Sequence, residues 1–121
     1  MENHASNDSI ARICTFPETF RAGNKSPLAL AKDLNLREVL PSIRMAALQT
    51  YLATHPELIE KWVIWSEDKR VREGWYLKIE TGVNEVGYFH YERGYSSVRR
   101  FTSPSEAVAN FILNDLGDII S

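Results

Sequence analysis

A histidine flanked by a carboxylate and followed by two arginines is the first pattern in this chain that can do chemistry. His90 stands two positions before Glu92, and Arg99 and Arg100 follow within the same predicted sheet. Such an imidazole can take a proton while guanidinium groups stabilise an anionic transition state, as nuclease chemistry requires. A lone histidine is a permissive signal, however, and a strand residue on an exposed sheet face accounts for it more simply. His4 lies in a polar terminal segment, and His55 precedes Pro56 at a helix break, where capping is the plainer role. With no distinctive carboxylate pair beside them, no residue is assigned as catalytic and the chain is expected to be non-enzymatic.

Metal and cofactor chemistry is equally short of ligands. No two histidines stand at metal-ligand spacing, Cys14 is the sole cysteine, and Asp115 with Asp118 is too small a set. Gly82, Gly87 and Gly94 are separated by strand-like residues, so they mark turns and a bulge rather than a phosphate loop. Neither a metal nor a cofactor is expected, and a small-molecule ligand is disfavoured.

Binding features are more evident. Trp62, Trp65, Trp75, Tyr76, Tyr88, Phe89, Tyr91 and Tyr95 crowd one stretch, and strand alternation cannot place all of them in one core. Aromatic side chains interleaved with Lys78, Arg99 and Arg100 suit either base stacking or a protein contact, since Tyr, Trp and Arg dominate interface hot spots. Cross-strand aromatic pairs that stabilise the sheet are the competing explanation. Trp65 leads into Glu67, Asp68, Lys69 and Arg70, four consecutive charges of both signs that fix register with a partner or simply solvate a loop. Asp115 and Asp118 fall near the end of the last predicted helix, where acids oppose the backbone dipole and no Lys or Arg offsets them. The partner-binding candidates are therefore Trp65, Glu67, Asp68, Lys69, Arg70, Tyr76, Lys78, Tyr88, His90, Arg99, Asp115 and Asp118.

Bulk properties narrow the partner. The chain has 121 residues, 44% hydrophobic and 25% charged, which suits one globular domain. Its 14 basic and 16 acidic residues leave a net charge of −2, so no overall basic field draws in nucleic acid or anionic lipid. One cysteine rules out an internal disulfide and fits a reducing compartment. Met1 to Asp8 lacks the pattern of a signal peptide, and no apolar run reaches the roughly 20 residues of a membrane span. A cytoplasmic protein without membrane contact is expected.

The elements that must position these residues read as an α+β domain. Residues 1–9 are expected as a loose tail and 10–121 as a single domain. Ile10 to Phe16 is either a short helix or an added strand, and residues 17–26 read as a loop. Ser26-Pro27 opens a helix, Asn35 with Glu38 resembles a capping box, and the long helix is placed from Pro41 to Thr54. A four-stranded antiparallel meander follows: Trp62–Ser66, Trp75–Glu80, Val86–Tyr91 and Tyr95–Phe101. In the second strand Trp75, Leu77 and Ile79 alternate with Tyr76, Lys78 and Glu80. Ser103-Pro104-Ser105-Glu106 combines a capping serine, proline at the first helical position and glutamate three residues on, so a C-terminal helix packs on one sheet face.

The order of helices, the Trp-Ser-Glu-Asp-Lys-Arg to Gly-Trp-Tyr segment (65–76) and the Ser-Pro-x-Glu-Ala helix start resemble small bacterial immunity proteins of polymorphic toxin and contact-dependent growth inhibition systems. The resemblance spans about residues 56–118. It implies a non-catalytic inhibitor whose partner is a cognate toxin domain. The alternative is a single-stranded nucleic-acid binder that uses Tyr76, Lys78, Tyr88 and Arg99 on an open sheet face.

Overall fold

The computed structural model describes residues 7–67 and 73–121. Among the described residues, six helices precede a three-stranded antiparallel sheet of order β1-β2-β3, and a seventh follows it. The helices are α1 (Asn7–Cys14), α2 (Phe16–Ala22), α3 (Pro27–Asp33), α4 (Leu36–Val39), α5 (Met45–Thr54), α6 (Glu57–Glu67) and α7 (Pro104–Ile120). The strands are β1 (Gly74–Glu80), β2 (Val83–His90) and β3 (Gly94–Arg100).

Helix α7 is the centre of the packing. Ser103 Oγ accepts the Glu106 N–H at 3.2 Å, so the serine half of the expected capping box forms, while Glu106 Oε1 accepts from the Thr102 N–H at 3.3 Å, one residue before the cap. From Ser105 to Ile112 every residue but Glu106 is buried. A helix apolar around most of its circumference must be enclosed, and α3, α5, α6, β1 and β2 all pack against α7. Leu77 and Val86 are the sheet's most buried contributions to this core.

Several expectations change. The strand expected over Trp62–Ser66 is the second half of α6. Leu58, Trp62 and Trp65 follow helical spacing and meet one apolar surface, so packing overrides the strand preference of a Trp-Val-Ile-Trp run. The meander therefore has three strands, not four. Residues 17–26 are not one loop, because Pro17 sits in the first turn of α2, where a missing N–H costs nothing. Residues 10–16 resolve in favour of helix, and α1 begins at Asn7, inside the expected tail. Asn35 adopts a left-handed backbone (φ 56°) and makes no side-chain cap, although its amide lies 3.4 Å from Glu38 Oε1. The helix expected from Pro41 begins only at Met45. A short 3-10 turn at Leu40–Ser42 is followed by extended backbone at Ile43 and Arg44, which puts the Ile43 side chain into the core.

Aromatic contacts join the N-terminal helices to the centre. Trp62 is fully buried, lies 6.1 Å edge-on from Phe111 of α7, and donates its Nε1–H to the Cys14 carbonyl at 2.8 Å. That bond satisfies an acceptor at the C-terminus of α1. Burial around it pushes the Cys14 thiol up from 9.0 to about 12, so the thiol stays neutral at physiological pH. Trp62→Phe is expected to destabilise the chain by about 1–3 kcal/mol from the orphaned carbonyl alone, measured as a lowered urea midpoint with unchanged slope.

Candidate binding surface

Strand register decides which candidate residues share a face. In β1 and β2, Trp75 lies opposite Tyr88, Tyr76 opposite Gly87, and Lys78 opposite Glu85. Directly opposed residues point to the same side. Trp75, Leu77, Tyr88 and Val86 thus belong to the helix-covered face, and Tyr76, Lys78, Glu85 and Phe89 to the outer one. In β3, Arg99 opposes Val86, Arg100 opposes Glu85 and Tyr95 opposes Phe89. Tyr76 and Lys78 are therefore on one side of the sheet, with Tyr88 and Arg99 on the other. The expectation that these four make one open platform is corrected by this register.

A bulge builds the outer face. Two steps along β2, from Val86 to Tyr88, match three along β3, from Arg99 to Ser96, and Ser97 takes a left-handed backbone with φ 53°. Without the extra residue, Tyr95 and Val98 would point to opposite sides. With it, Tyr95, Val98 and Arg100 all join the outer face. Tyr95 is 69% and Val98 45% exposed, high values for large apolar side chains in a folded domain.

Gly87 supplies the floor. A Cβ at that position would stand 2.6 Å from Tyr76 Oη and 2.7 Å from two of its ring carbons, so the phenol lies directly over the glycine. Tyr95 meets Tyr76 edge-on at 5.6 Å and Phe89 at 5.0 Å, giving three rings in contact across three strands. Tyr76 Oη donates to Glu85 Oε2 at 2.6 Å, and Arg100 Nε donates to Glu85 Oε1 at 3.0 Å. The Tyr76 hydrogen bond, and after it Arg100, holds the Glu85 carboxyl below its usual value of 4.5. Burial, followed by the bond to Glu85, raises the Tyr76 phenol well above its own usual range.

The remaining candidates are dispersed. Trp65 Nε1 donates to Asp115 Oδ2 at 2.9 Å, and Asp115 is only 4% exposed. The expected pair of exposed acids at the end of α7 is thereby reduced to Asp118, because helix packing turns Asp115 inward onto an indole donor. The helix continues past Gly117 to Ile120, which leaves Asp118 exposed in its last turn. Trp65 packs edge-on against Phe16 and Phe20, so it is a half-buried structural residue rather than a surface anchor. Glu67 is exposed at the end of α6. Asp68, Lys69 and Arg70 lie outside the described residues.

His90 serves a turn. Its Nδ1 faces the backbone N–H groups of Glu92 and Arg93 at 3.2 and 3.3 Å and accepts from them, which leaves the ring proton on Nε2, 3.4 Å from Glu73 Oε2. Nδ1 thus holds the β2–β3 turn, whereas the approach of Nε2 to Glu73, which precedes β1, is not a hydrogen bond. Among the described residues no group of three or more His, Cys, Asp or Glu side chains is placed to hold a metal ion. No helix there is long and apolar enough to cross a membrane. A cleft of about 200 Å³ bordered by Leu28, Leu36, Arg37 and Ile120 falls below the usual size of a small-molecule site.

Glu85, Val98 and the floor position Gly87 escaped the sequence reading. A glycine in mid-strand opposite a tyrosine was the available signal for the last of these. Comparison with known proteins finds no match among family models, curated proteins or solved structures.

Gly87→Ala is expected to displace the Tyr76 ring and cost about 1–3 kcal/mol by denaturant unfolding. In a double-mutant cycle with Tyr76→Ala the cost of the added methyl should largely vanish. Acid unfolding checks the carboxylate. Because Glu85 has a lower value folded than unfolded, its stabilisation is complete above about 4.5 and is lost as pH falls through the folded value. The stability gap between wild type and Glu85→Gln should therefore close on acidification below that pH.

Proposed function

We propose that this chain is a non-catalytic binding protein that covers a partner protein with the outer face of its sheet, and that the partner is a bacterial toxin domain. The observation that carries the first part is the placement of Tyr95 and Val98, both strongly exposed, beside the Tyr76 and Phe89 rings on a rigid three-stranded support. Lone exposed apolar residues are ordinary, but a contiguous aromatic patch with a charged rim is the composition of a binding centre. Lys78, Glu80 and Arg100 provide that rim. Pre-positioned rings lose little side-chain entropy on contact, which favours tight association.

The identity of the partner rests on the resemblance of residues 56–118 to immunity proteins. An immunity protein need only obstruct its toxin, so a rigid adhesive face suffices for the task. Asp115 and Trp65 do not contribute to this surface, because Asp115 is buried and bonded to the Trp65 indole.

Co-expression with a toxin domain encoded beside the gene should yield a stable complex and restore growth. Tyr95→Ala with Val98→Asp is expected to weaken binding at least 30-fold, the equivalent of one hot spot of about 2 kcal/mol, with the circular dichroism spectrum unchanged. Leu28→Ser, an exposed apolar substitution on α3, should leave affinity as it was. Undiminished binding by the double variant would overturn this choice of surface.

A further inference from the structure

The sheet has two edges, and they are finished differently. Phe101 N–H bonds to the Asn84 carbonyl at 2.8 Å, which shows that the even-numbered residues of β2 turn their backbone groups towards β3. Alternation along an antiparallel ladder then turns the backbone of Leu77 out from the β1 edge. There Ser66 Oγ, from the end of α6, lies 3.4 Å from the Leu77 carbonyl and donates to it. The same alternation, carried across the bulge, turns the backbone groups of Tyr95, Val98 and Arg100 out from the β3 edge. All residues from Tyr95 to Arg100 are exposed.

We infer that the β3 edge receives an extended, acidic segment of the partner as a fourth strand, an inference that rests on the protein-binding reading above. Charge selects the occupant. The strand Gly94–Arg100 contains Arg99 and Arg100 and no acid. The two guanidinium groups lie on opposite faces, because Arg99 opposes Val86 and Arg100 opposes Glu85. An incoming strand thus meets one cation on each side, and adjacent acidic residues in it answer both. Arg100 keeps 76% of its side chain exposed even while bonded to Glu85. A second copy of this chain is a poor occupant, since pairing two β3 strands brings four arginines and no carboxylate into one ladder.

Charge and a bulge are also devices that protect an edge from indiscriminate pairing. An edge built only for protection has no use for Tyr95 and Val98, whose side chains extend the aromatic face up to the same border. The added strand would continue that face, its alternate apolar residues resting beside Val98.

The test is selection from a random dodecapeptide display library on the full chain, followed by fluorescence anisotropy and amide hydrogen exchange with the selected peptide. The expected result is enrichment of acidic peptides without proline, slowed exchange at the Val98 and Arg100 amides, and at least tenfold weaker binding to the Arg99→Glu/Arg100→Glu variant. N-methylation of alternate peptide residues should abolish binding in one register and spare it in the other. Failure to enrich acidic peptides, unchanged exchange at both amides, or a peptide-free dimer that protects them would each overturn the inference. The two readings fail separately. Partner affinity that depends on Tyr95 while those amides remain unprotected removes the fourth strand and keeps the binding face. Amide protection by acidic peptides, with partner binding indifferent to Tyr95, does the reverse.

Discussion

Enclosure of α7 is the constraint on which the rest of the architecture depends. Val108, Ala109, Phe111, Ile112 and Leu116 are all at zero exposure, and they point in too many directions for a single neighbour to cover. The chain meets this with a shell: α3 and α5 on some sides, α6 on another, and β1 with β2 on the remainder. Buried apolar area at about 25 cal/mol per Å² makes this the dominant source of cohesion. The polar atoms it traps are matched individually, as in the Trp65 indole bonded to Asp115. Removing either member would leave the other polar group without this bond in the interior, so the pair specifies how α6 and α7 align.

That enclosure also decides what becomes of the sheet. Two strands suffice to complete the wall around α7, and Leu77 and Val86 do so. The third strand therefore contributes little to the core, and its residues lie exposed on both sides. It must be held by its neighbour through ladder hydrogen bonds and cross-strand pairs, chiefly Tyr95 with Phe89 and Arg100 with Glu85. Pairs of this kind are worth about 0.2–1 kcal/mol each, enough to order a strand already anchored at both ends.

Local signals in the sequence were legible wherever the physics was local. The Ser103 to Glu106 capping pattern located α7 because its hydrogen bonds close within four residues, and alternation from Trp75 to Glu80 located β1 because only one face needed burial. Trp62–Ser66 failed for the opposite reason. Its aromatic and β-branched residues are good strand formers, and the partners that make it a helix, Phe16, Cys14 and Phe111, come from distant parts of the chain. Pro17 stands at the head of the expected 17–26 loop, although proline suits the first turn of a helix equally well. The proposed binding face was only half legible. Tyr76 and Lys78 follow from alternation, but Tyr95 and Val98 are three apart, and only the left-handed Ser97 brings them to one side. Asp115 looked exposed because helix-end electrostatics can be read from sequence, whereas an indole fifty residues away cannot.

The outer face differs from the rest of the molecule in the kind of cost it carries. A serine held at φ 53° is disfavoured by about 1–2 kcal/mol relative to ordinary backbone, a position glycine would fill more readily. Tyr95 and Val98 leave apolar surface in water that the enclosure of α7 does not require. Neither feature improves the core, and the ladder would be more regular without the bulge. These departures converge on one side of one hairpin, within reach of Arg100 and directly beside the exposed strand edge. Scattered departures would indicate tolerance of imperfect packing. Their convergence on a rigid, ring-covered surface instead is what the proposed binding role requires, since contact there would recover what isolation in water forfeits.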